Sequence, residues 1–100
     1  QLLPNIPENE SLYEAAILAF AELLKGATRS EDLCARLGRF EFTMIVSAQI
    51  DIAGSIAERV QSSWSENNFL CQAHVVSASG KESPLEILNR LDSAPALKVL

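Results

Sequence analysis

The feature that most constrains the fold is a pair of strand-like runs separated by three residues. Residues 33–37 alternate, with Leu33, Ala35 and Leu37 on one face. Residues 41–47 are rich in β-branched and apolar side chains, which favour strands. The connection between the runs, residues 38–40, is short and contains a glycine. Such a connection predicts an antiparallel β-hairpin.

Helical patterns lie on both sides of this hairpin. Ser11 and Glu14 have the spacing of a capping box, and an apolar stripe follows as far as about Gly26. Asp51 is predicted to cap a second helix, in which Ile52, Ile56, Val60 and Trp64 recur at every fourth position.

The last third of the chain predicts one more strand and one more helix. Residues 69–77 read as a buried strand. Ser83 and Glu86 form a second capping box with Pro84 at the first helical position, and Pro95 is expected to end that helix. Residues 1–9 are predicted to be an extended lead-in, because Pro4 and Pro7 disfavour a helix.

The predicted order is helix, strand, strand, helix, strand, helix. This order indicates an α/β fold, with a mixed sheet that includes the antiparallel hairpin and is covered by helices. One hundred residues correspond to a single domain. The first residues lack a Met and a basic leader, so we expect residues 1–100 to be one domain of a larger protein.

Composition narrows the classes of partner. The net charge of −5 and pI of about 4.7 argue against nucleic acid and anionic membrane surfaces as partners. No apolar run is long enough to cross a bilayer. Cys34 and Cys71 lie in apolar surroundings and are predicted to be reduced, buried thiols of a cytoplasmic protein, a disulfide being the alternative.

Two short motifs lie at and just before the hairpin. Arg29 and Asp32 form an Arg-x-x-Asp pair that ends five residues before the hairpin connection. The connection opens the sequence Gly38-Arg39-Phe40-Glu41-Phe42. This arrangement resembles the GGDEF family, the diguanylate cyclases and their inactive relatives, in which a product-binding RxxD motif ends five residues before the GGDEF or GGEEF signature.

The resemblance extends over about residues 12–98. Ala57-Glu58-Arg59 is similar to the family's AER segment, and residues 88–98 are similar to a decayed form of its terminal ADxALYxAK pattern. The family's opening strand, which carries a metal-binding Asp and a guanine-binding segment, has no counterpart in residues 1–11. Without that strand we expect an uncovered sheet edge.

The damaged signature argues against catalysis. A cyclase of this family needs carboxylate-held divalent metals and glycines that let the backbone approach the nucleotide. Arg39 stands in place of the second glycine and Phe40 in place of a metal-binding acid, while Gly38, Glu41 and Phe42 match. The resemblance therefore implies no cyclase activity, no bound metal and no cofactor. Arg39 and Phe40 are either a plain hairpin tip or an exposed pair that contacts a partner.

The RxxD motif is intact, and the resemblance implies a cyclic di-GMP site at Arg29, Asp32 and Arg59. A guanidinium can bond guanine O6 and N7 in bidentate fashion, and a carboxylate can accept from guanine N–H groups. A second arginine can take a phosphate or stack on a base. The alternative is structural, because Arg29 can simply pair with Asp32 on the surface.

These observations predict a catalytically inactive GGDEF-like regulatory domain that binds cyclic di-GMP and acts on a neighbouring domain, a partner protein or a second protomer. The alternative is an interaction or dimerisation domain that binds no nucleotide. The resemblance also leaves open that a phosphodiesterase domain follows this domain in the whole protein. It further leaves open that GTP binds near Glu14 without being turned over. Trp64 is interpreted as a core residue, and His74 as a satisfied core or edge histidine rather than a metal ligand or catalytic base.

Overall fold

The protein is described by a computed structural model that covers residues 1–78 and 80–97. Those residues form an α/β fold of three helices and four short strands. In chain order the elements are β1 (Leu2–Pro4), α1 (Glu10–Ala27), β2 (Leu33–Arg36), β3 (Phe42–Ile45), α2 (Ile50–Ser63), β4 (Phe69–Cys71) and α3 (Pro84–Ser93). The α/β class is confirmed, as is the order of elements from α1 onwards.

The sheet arrangement differs from the prediction. Within the described residues, β1 pairs with β4 and β2 with β3 as two separate antiparallel sheets, so the single mixed sheet is corrected to two pairs. β1 was not predicted, because three residues are too few to show an alternating pattern and Pro4 disfavours a strand. Its partner, β4, lies near the other end of the chain.

Helix α1 supplies most of the core. Asn9, not Ser11, is its N-cap, and the Asn9 side chain accepts a hydrogen bond from the amide of Leu12 at 3.1 Å. The capping box predicted at Ser11 is therefore wrong by two residues. The helix ends at Ala27, one residue beyond the predicted stop. Its buried face comprises Tyr13, Ala16, Ile17, Phe20 and Leu24.

The predicted hairpin is confirmed. β2 and β3 pair in the register Leu33↔Ile45 and Ala35↔Thr43. One face of β3 is half-buried and packs on the core through Phe42 and Met44. The opposite face leaves Leu33 66% exposed and Ile45 63% exposed.

Helix α2 begins earlier than predicted. Its N-cap is Gln49, which makes no side-chain capping bond, and Asp51 lies inside the first turn. The predicted stripe is buried only towards its end: Val60 is buried and Trp64 packs against the core, whereas Ile52 is exposed. The Trp64 indole donates to the carbonyl of Phe69 at 2.9 Å, which supports its interpretation as a core residue.

The end of the described chain agrees in part with the prediction. β4 covers only residues 69–71, and residues 72–77 follow without a strand assignment. The capping box of Ser83 and Glu86 is confirmed, and α3 ends at Ser93, two residues before Pro95. No α3 residue is buried. Lys98, the last residue of the pattern matched at 88–98, lies outside the described residues.

Both cysteines are free, as predicted, but only Cys71 is buried. Cys34 is exposed because it lies on β2, a strand whose four residues are all exposed. Within residues 1–78 and 80–97, no helix combines the length and the apolar character that crossing a bilayer requires.

Candidate functional site

The RxxD motif forms a tight turn directly after α1. Thr28 caps the helix, and its hydroxyl donates to the carbonyl of Leu24 at 2.6 Å. The amide of Asp32 then donates to the carbonyl of Arg29 at 3.0 Å, which closes the turn. β2 begins at the next residue. The motif is therefore held between a helix end and a strand start.

The side chains of the motif bind each other. Arg29 Nε donates to Asp32 Oδ2 at 3.0 Å, and Arg29 Nη2 donates to Asp32 Oδ1 at 3.2 Å. The backbone amide of Arg29 also donates to Oδ2, at 3.0 Å. The Asp32 side chain is 0% exposed, whereas the Arg29 side chain is 42% exposed. The carboxylate is thus enclosed, and the guanidinium forms the surface of the turn.

The pair is ionised at neutral pH. The hydrogen bond from the Arg29 side chain holds the pKa of Asp32 below its ordinary value. Burial acts in the opposite direction, and backbone hydrogen bonds from Arg29 and Ser47 lower this pKa further. The hydrogen bond to Asp32 raises the pKa of Arg29 in turn. Asp32 therefore works as a fixed negative charge that orients Arg29.

One edge of the guanidinium remains open. Nε and Nη2 face Asp32, and Glu31 Oε1 lies 3.5 Å from Nε. Nη1 makes no hydrogen bond within the described part of the chain. The Nη1–Nη2 edge carries N–H donors in a planar fork. Such a fork suits two neighbouring acceptors, as in the O6 and N7 of guanine or two phosphate oxygens.

Arg59 is not joined to this pair. It is exposed on α2, next to the buried Val60. No hydrogen bond or ion pair connects Arg59 with Arg29 or Asp32 among residues 1–78 and 80–97. Of the three residues predicted to form the site, the structure therefore joins Arg29 and Asp32, and Arg59 is a separate exposed residue on α2.

Arg39 is held at the hairpin tip by acidic and aromatic side chains. Its Nη2 donates to Glu10 Oε2 at 2.6 Å, and its Nη1 donates to Glu8 Oε1 at 3.3 Å. Its guanidinium carbon also lies 5.1 Å from the ring centre of Tyr13 and 5.6 Å from that of Phe40. These contacts tie the tip to the start of α1.

Phe40 points into the molecule. Its ring centre lies 5.2 Å from that of Tyr13 in an edge-to-face arrangement and 6.2 Å from that of Phe69. The residue is half-buried and packs against the core cluster. The exposed Phe–Arg pair considered from the sequence is therefore corrected: Phe40 stabilises the core, because aromatic partners from α1 and β4 lie beside it.

The remaining signature positions serve the hairpin. Glu41 accepts the amide of Leu37 at 2.8 Å through its carbonyl. Arg36, which the sequence analysis did not single out, donates from Nε to the carbonyl of Gly38 at 3.0 Å and from Nη2 to the carbonyl of Arg39 at 2.9 Å. Arg36 therefore occupies backbone acceptors at the tip. The sequence signal that could have predicted this role is the presence of a positively charged residue three positions before Arg39.

The ring of Phe42, the last signature position, packs at 5.4 Å from that of Phe20, between ring centres. His74 shares a hydrogen bond with the carbonyl of Ala94, Nδ1 to oxygen 2.8 Å, in agreement with its interpretation as a satisfied histidine. Among the described residues, no cluster of three or more His, Cys, Asp or Glu side chains is placed to hold a metal ion.

Two grooves lie away from the RxxD turn. One, of about 490 Å³, runs between α1 and residues 63–69. The other, of about 440 Å³, runs between β3, α2, α3 and residues 71–78. Neither groove is lined by Arg29, Asp32 or Arg59. The RxxD turn therefore lies outside both grooves, with the Arg29 side chain at the protein surface.

Comparison with protein-family models, with curated proteins and with solved structures gives no match for this chain.

Proposed function

We propose that this chain is a catalytically inactive GGDEF-like regulatory domain that binds cyclic di-GMP through Arg29. The observation that carries the proposal is the open Nη1–Nη2 edge of a guanidinium whose other edge is fixed on a buried carboxylate. A fixed arginine loses little conformational freedom when it binds, which favours recognition of a planar base.

In this mode Arg29 bonds the O6 and N7 acceptors of one guanine. Asp32 does not reach the base, because its oxygens already accept from Arg29 and its side chain is enclosed. Its role is to position Arg29. This differs from the direct guanine contact that the resemblance implies for the aspartate. Arg59 is free to take a phosphate of a ligand that spans from the turn to α2.

The absence of cyclase activity is supported by the chemistry of the signature. Position 40 holds a phenyl ring, which cannot coordinate a metal, and that ring is packed against Tyr13. Position 39 holds an arginine that is engaged with Glu8 and Glu10. The tip backbone is also occupied, since Arg36 bonds the carbonyls of Gly38 and Arg39.

A ligand on Arg29 has a physical route to the rest of the domain. The backbone of Ser47, which lies just beyond β3 and before α2, contributes to the lowered pKa of Asp32. Binding at the turn therefore acts on the connection between the hairpin and α2. It shifts a conformational equilibrium, and hence a neighbouring domain or partner, only by the difference in affinity between the two states.

The test is calorimetric titration of cyclic di-GMP into the wild-type chain and Arg29→Lys. Lysine retains the charge opposite Asp32 but lacks the planar fork, so we expect affinity to fall at least about tenfold while the fold is kept. Arg90→Lys is the matched control, since Arg90 is also a half-exposed arginine paired with an acid. Absence of binding to the folded wild-type chain, or unchanged affinity in Arg29→Lys, contradicts the proposal.

A second candidate function is protein interaction without a nucleotide. The observation that favours it is the apolar outer face of the hairpin, where Leu33 and Ile45 are cross-strand neighbours and both exposed. The occupant of that face would be a second protomer. Sedimentation as a dimer that Leu33→Glu disrupts, with no change of melting temperature on adding cyclic di-GMP, favours this candidate over the first.

A further inference from the structure

β2 is the outer strand of its hairpin, and all four of its residues are exposed. The amide of Leu37, directly after β2, donates to the carbonyl of Glu41 at 2.8 Å. In an antiparallel pair the residues that exchange hydrogen bonds recur at every second position, so the odd-numbered residues of β2 carry its bonds to β3. The backbone groups of the even-numbered residues, Cys34 and Arg36, therefore face away from β3.

The edge formed by Cys34 and Arg36 is free within the described chain. The carbonyl of Phe40 accepts the amide of Leu2 at 2.9 Å, so β1 lies against the opposite edge of the hairpin, that of β3. Among residues 1–78 and 80–97, no backbone group outside the hairpin bonds the amide or carbonyl of Cys34 or Arg36. A strand edge with unpaired N–H and C=O groups is a template for pairing with another strand.

The sequence of β2 and its flanks is complementary to itself. Leu33 and Leu37 lie two residues before and two residues after Ala35, on the same face of the strand. Two positions further out, Glu31 precedes β2 and Arg39 follows it. A two-fold axis at the central alanine therefore sets leucine opposite leucine and acid opposite base, which is the symmetry of an interface between two copies of one chain.

The charges at the two ends of β2 favour an antiparallel arrangement. At the start, the Glu31 side chain is 53% exposed, and its contact with Arg29 is 3.5 Å long. At the end, Arg36 bonds backbone carbonyls of the hairpin tip and forms no ion pair with an acid of the described residues. Antiparallel pairing brings the acidic start of one copy to the basic end of the other, and opposite charges across strands are stabilising.

The neighbouring registers are less favourable. Hydrogen bonding requires even-numbered residues to face even-numbered ones, so from Ala35 the axis can shift by one residue, to Arg36 or to Cys34. An axis at Arg36 places two arginines directly opposite each other, and like charges there are destabilising. An axis at Cys34 aligns Arg29 of one copy with Arg39 of the other, which again brings like charges together.

We propose that two copies of this chain associate by antiparallel pairing of β2 with β2, with the two-fold axis at Ala35. The two hairpins then form one four-stranded sheet, in which Cys34 of each copy exchanges backbone bonds with Arg36 of the other. On the outer face, the exposed Leu33 and Ile45 of one copy lie beside Leu37 of the other.

This inference rests on the second candidate function, whose occupant is a second protomer, and names the contact that the two protomers make. It does not depend on nucleotide binding, because Arg29 and Asp32 lie outside β2. Dimerisation and the β2 contact can therefore be tested separately.

The test is cross-linking of Ala35→Cys in a Cys34→Ser background under oxidised glutathione. The two Ala35 positions form a non-hydrogen-bonded pair with Cα atoms about 4.5 Å apart, within the span of a disulfide. The matched control is Leu33→Cys in the same background, equally exposed on the same strand. Its two thiols would start about 14 Å apart, beyond that span. We expect at least about fivefold more covalent dimer from Ala35→Cys, measured by non-reducing electrophoresis.

Sedimentation of the wild-type chain and of Cys34→Pro accompanies the cross-linking. Proline at this position removes an outward N–H that the hairpin does not use, so we expect the fold, checked by circular dichroism, to be kept and the dimer to be lost. A wild-type dimer with equal cross-linking of the two cysteine variants would overturn the β2 contact and leave the second candidate function standing. A monomeric wild-type chain would overturn both.

Discussion

Two arginines flank β2, and they differ in whether their guanidinium is held by a neighbouring residue or by a distant part of the chain. Arg29 bonds a carboxylate three residues away and leaves one edge of its guanidinium open. Arg39 bonds Glu8 and Glu10, about thirty residues earlier in the chain. It also lies over the ring of Tyr13. Arg29 can contact a ligand while it stays bonded to Asp32. Arg39 could contact one only by breaking its bonds to Glu8 and Glu10 at the start of α1.

The environment of the acids differs in the same way. Asp32 is enclosed, whereas Glu8 and Glu10 are exposed. Enclosed charges are costly without a partner, and exposed acids are hydrated when their partner leaves. The first pair therefore fixes the geometry of its turn, and the second adds modestly to the attachment of the hairpin tip.

The largest expected effect concerns Phe40, which makes the tip part of the core. Phe40→Ala removes ring contacts with Tyr13 and Phe69, and we expect a loss of about 2–3 kcal/mol in the free energy of unfolding, below the loss for a fully buried phenylalanine. Urea unfolding followed by circular dichroism measures it. Leu33→Ala, an exposed position of the same hairpin, should change stability by less than about 0.5 kcal/mol. Equal losses of unfolding free energy in Phe40→Ala and Leu33→Ala would show that Phe40 does not contribute to the core.

The next effect compares the two arginines directly. Arg29→Ala leaves an enclosed carboxylate without its partner, so the melting temperature should fall by roughly 8–10 °C. Arg39→Ala leaves two exposed acids and should lower it by roughly 2–5 °C. Asp32→Asn combined with Arg29→Ala should recover part of the first loss, because the buried charge is gone. An equal fall in the two single variants would refute the distinction between the pairs.

Features formed by residues close together in the sequence could be predicted from it. The hairpin and the Ser83–Glu86 cap were predicted, and the Arg29–Asp32 pairing was the structural alternative for the RxxD motif, because each depends on residues within a few positions of each other. Local hydrogen bonds and short connections leave few alternatives at such spacings. The pairing of the motif was thus visible in the sequence, although the complete burial of Asp32 was not.

Other features were missed because their partners are distant in sequence. β1 exists through pairing with β4, and Phe40 is half-buried through its contacts with Tyr13 and Phe69. Asn9 rather than Ser11 caps α1. The sequence pattern alone does not show which of two polar residues, two positions apart, is the N-cap. Whether Arg59 approaches the RxxD turn is likewise a question of helix position, which spacing along the chain does not determine.

The pH dependence of stability should sharpen the difference between the acids. The folded-state pKa of Asp32 is lowered, chiefly by the Arg29 hydrogen bond, so its stabilising contribution is present above the ordinary pKa of about 3.8. That contribution is lost as the pH falls through the lower folded-state value. We expect the acid-side decline of the unfolding free energy to be shallower in Asp32→Asn, measured by urea titrations at several acidic pH values.

Glu10 offers the internal comparison for that experiment. The Arg39 hydrogen bond also lowers its pKa, so Glu10→Gln should flatten the acid-side decline in the same direction. Because Glu10 is exposed, solvent screening makes its share the smaller one. If the acid-side slope of the unfolding free energy against pH changed more in Glu10→Gln than in Asp32→Asn, the larger contribution assigned to the enclosed Asp32 would be wrong.

The smallest expected effect is at Gly38, the signature glycine beside Arg39. Its φ is not positive, and a Cβ there would lie 3.6 Å from the nearest atom of Glu41, an ordinary contact. Gly38→Ala therefore needs no strained backbone, and it restricts the unfolded chain, so we expect stability unchanged or raised by up to about 1 kcal/mol. A hairpin that must admit a nucleotide against its backbone would require this glycine. Thermal unfolding of Gly38→Ala thus tests whether the tip needs glycine at this position: a marked loss of stability would mean that the tip depends on a backbone freedom that only glycine provides.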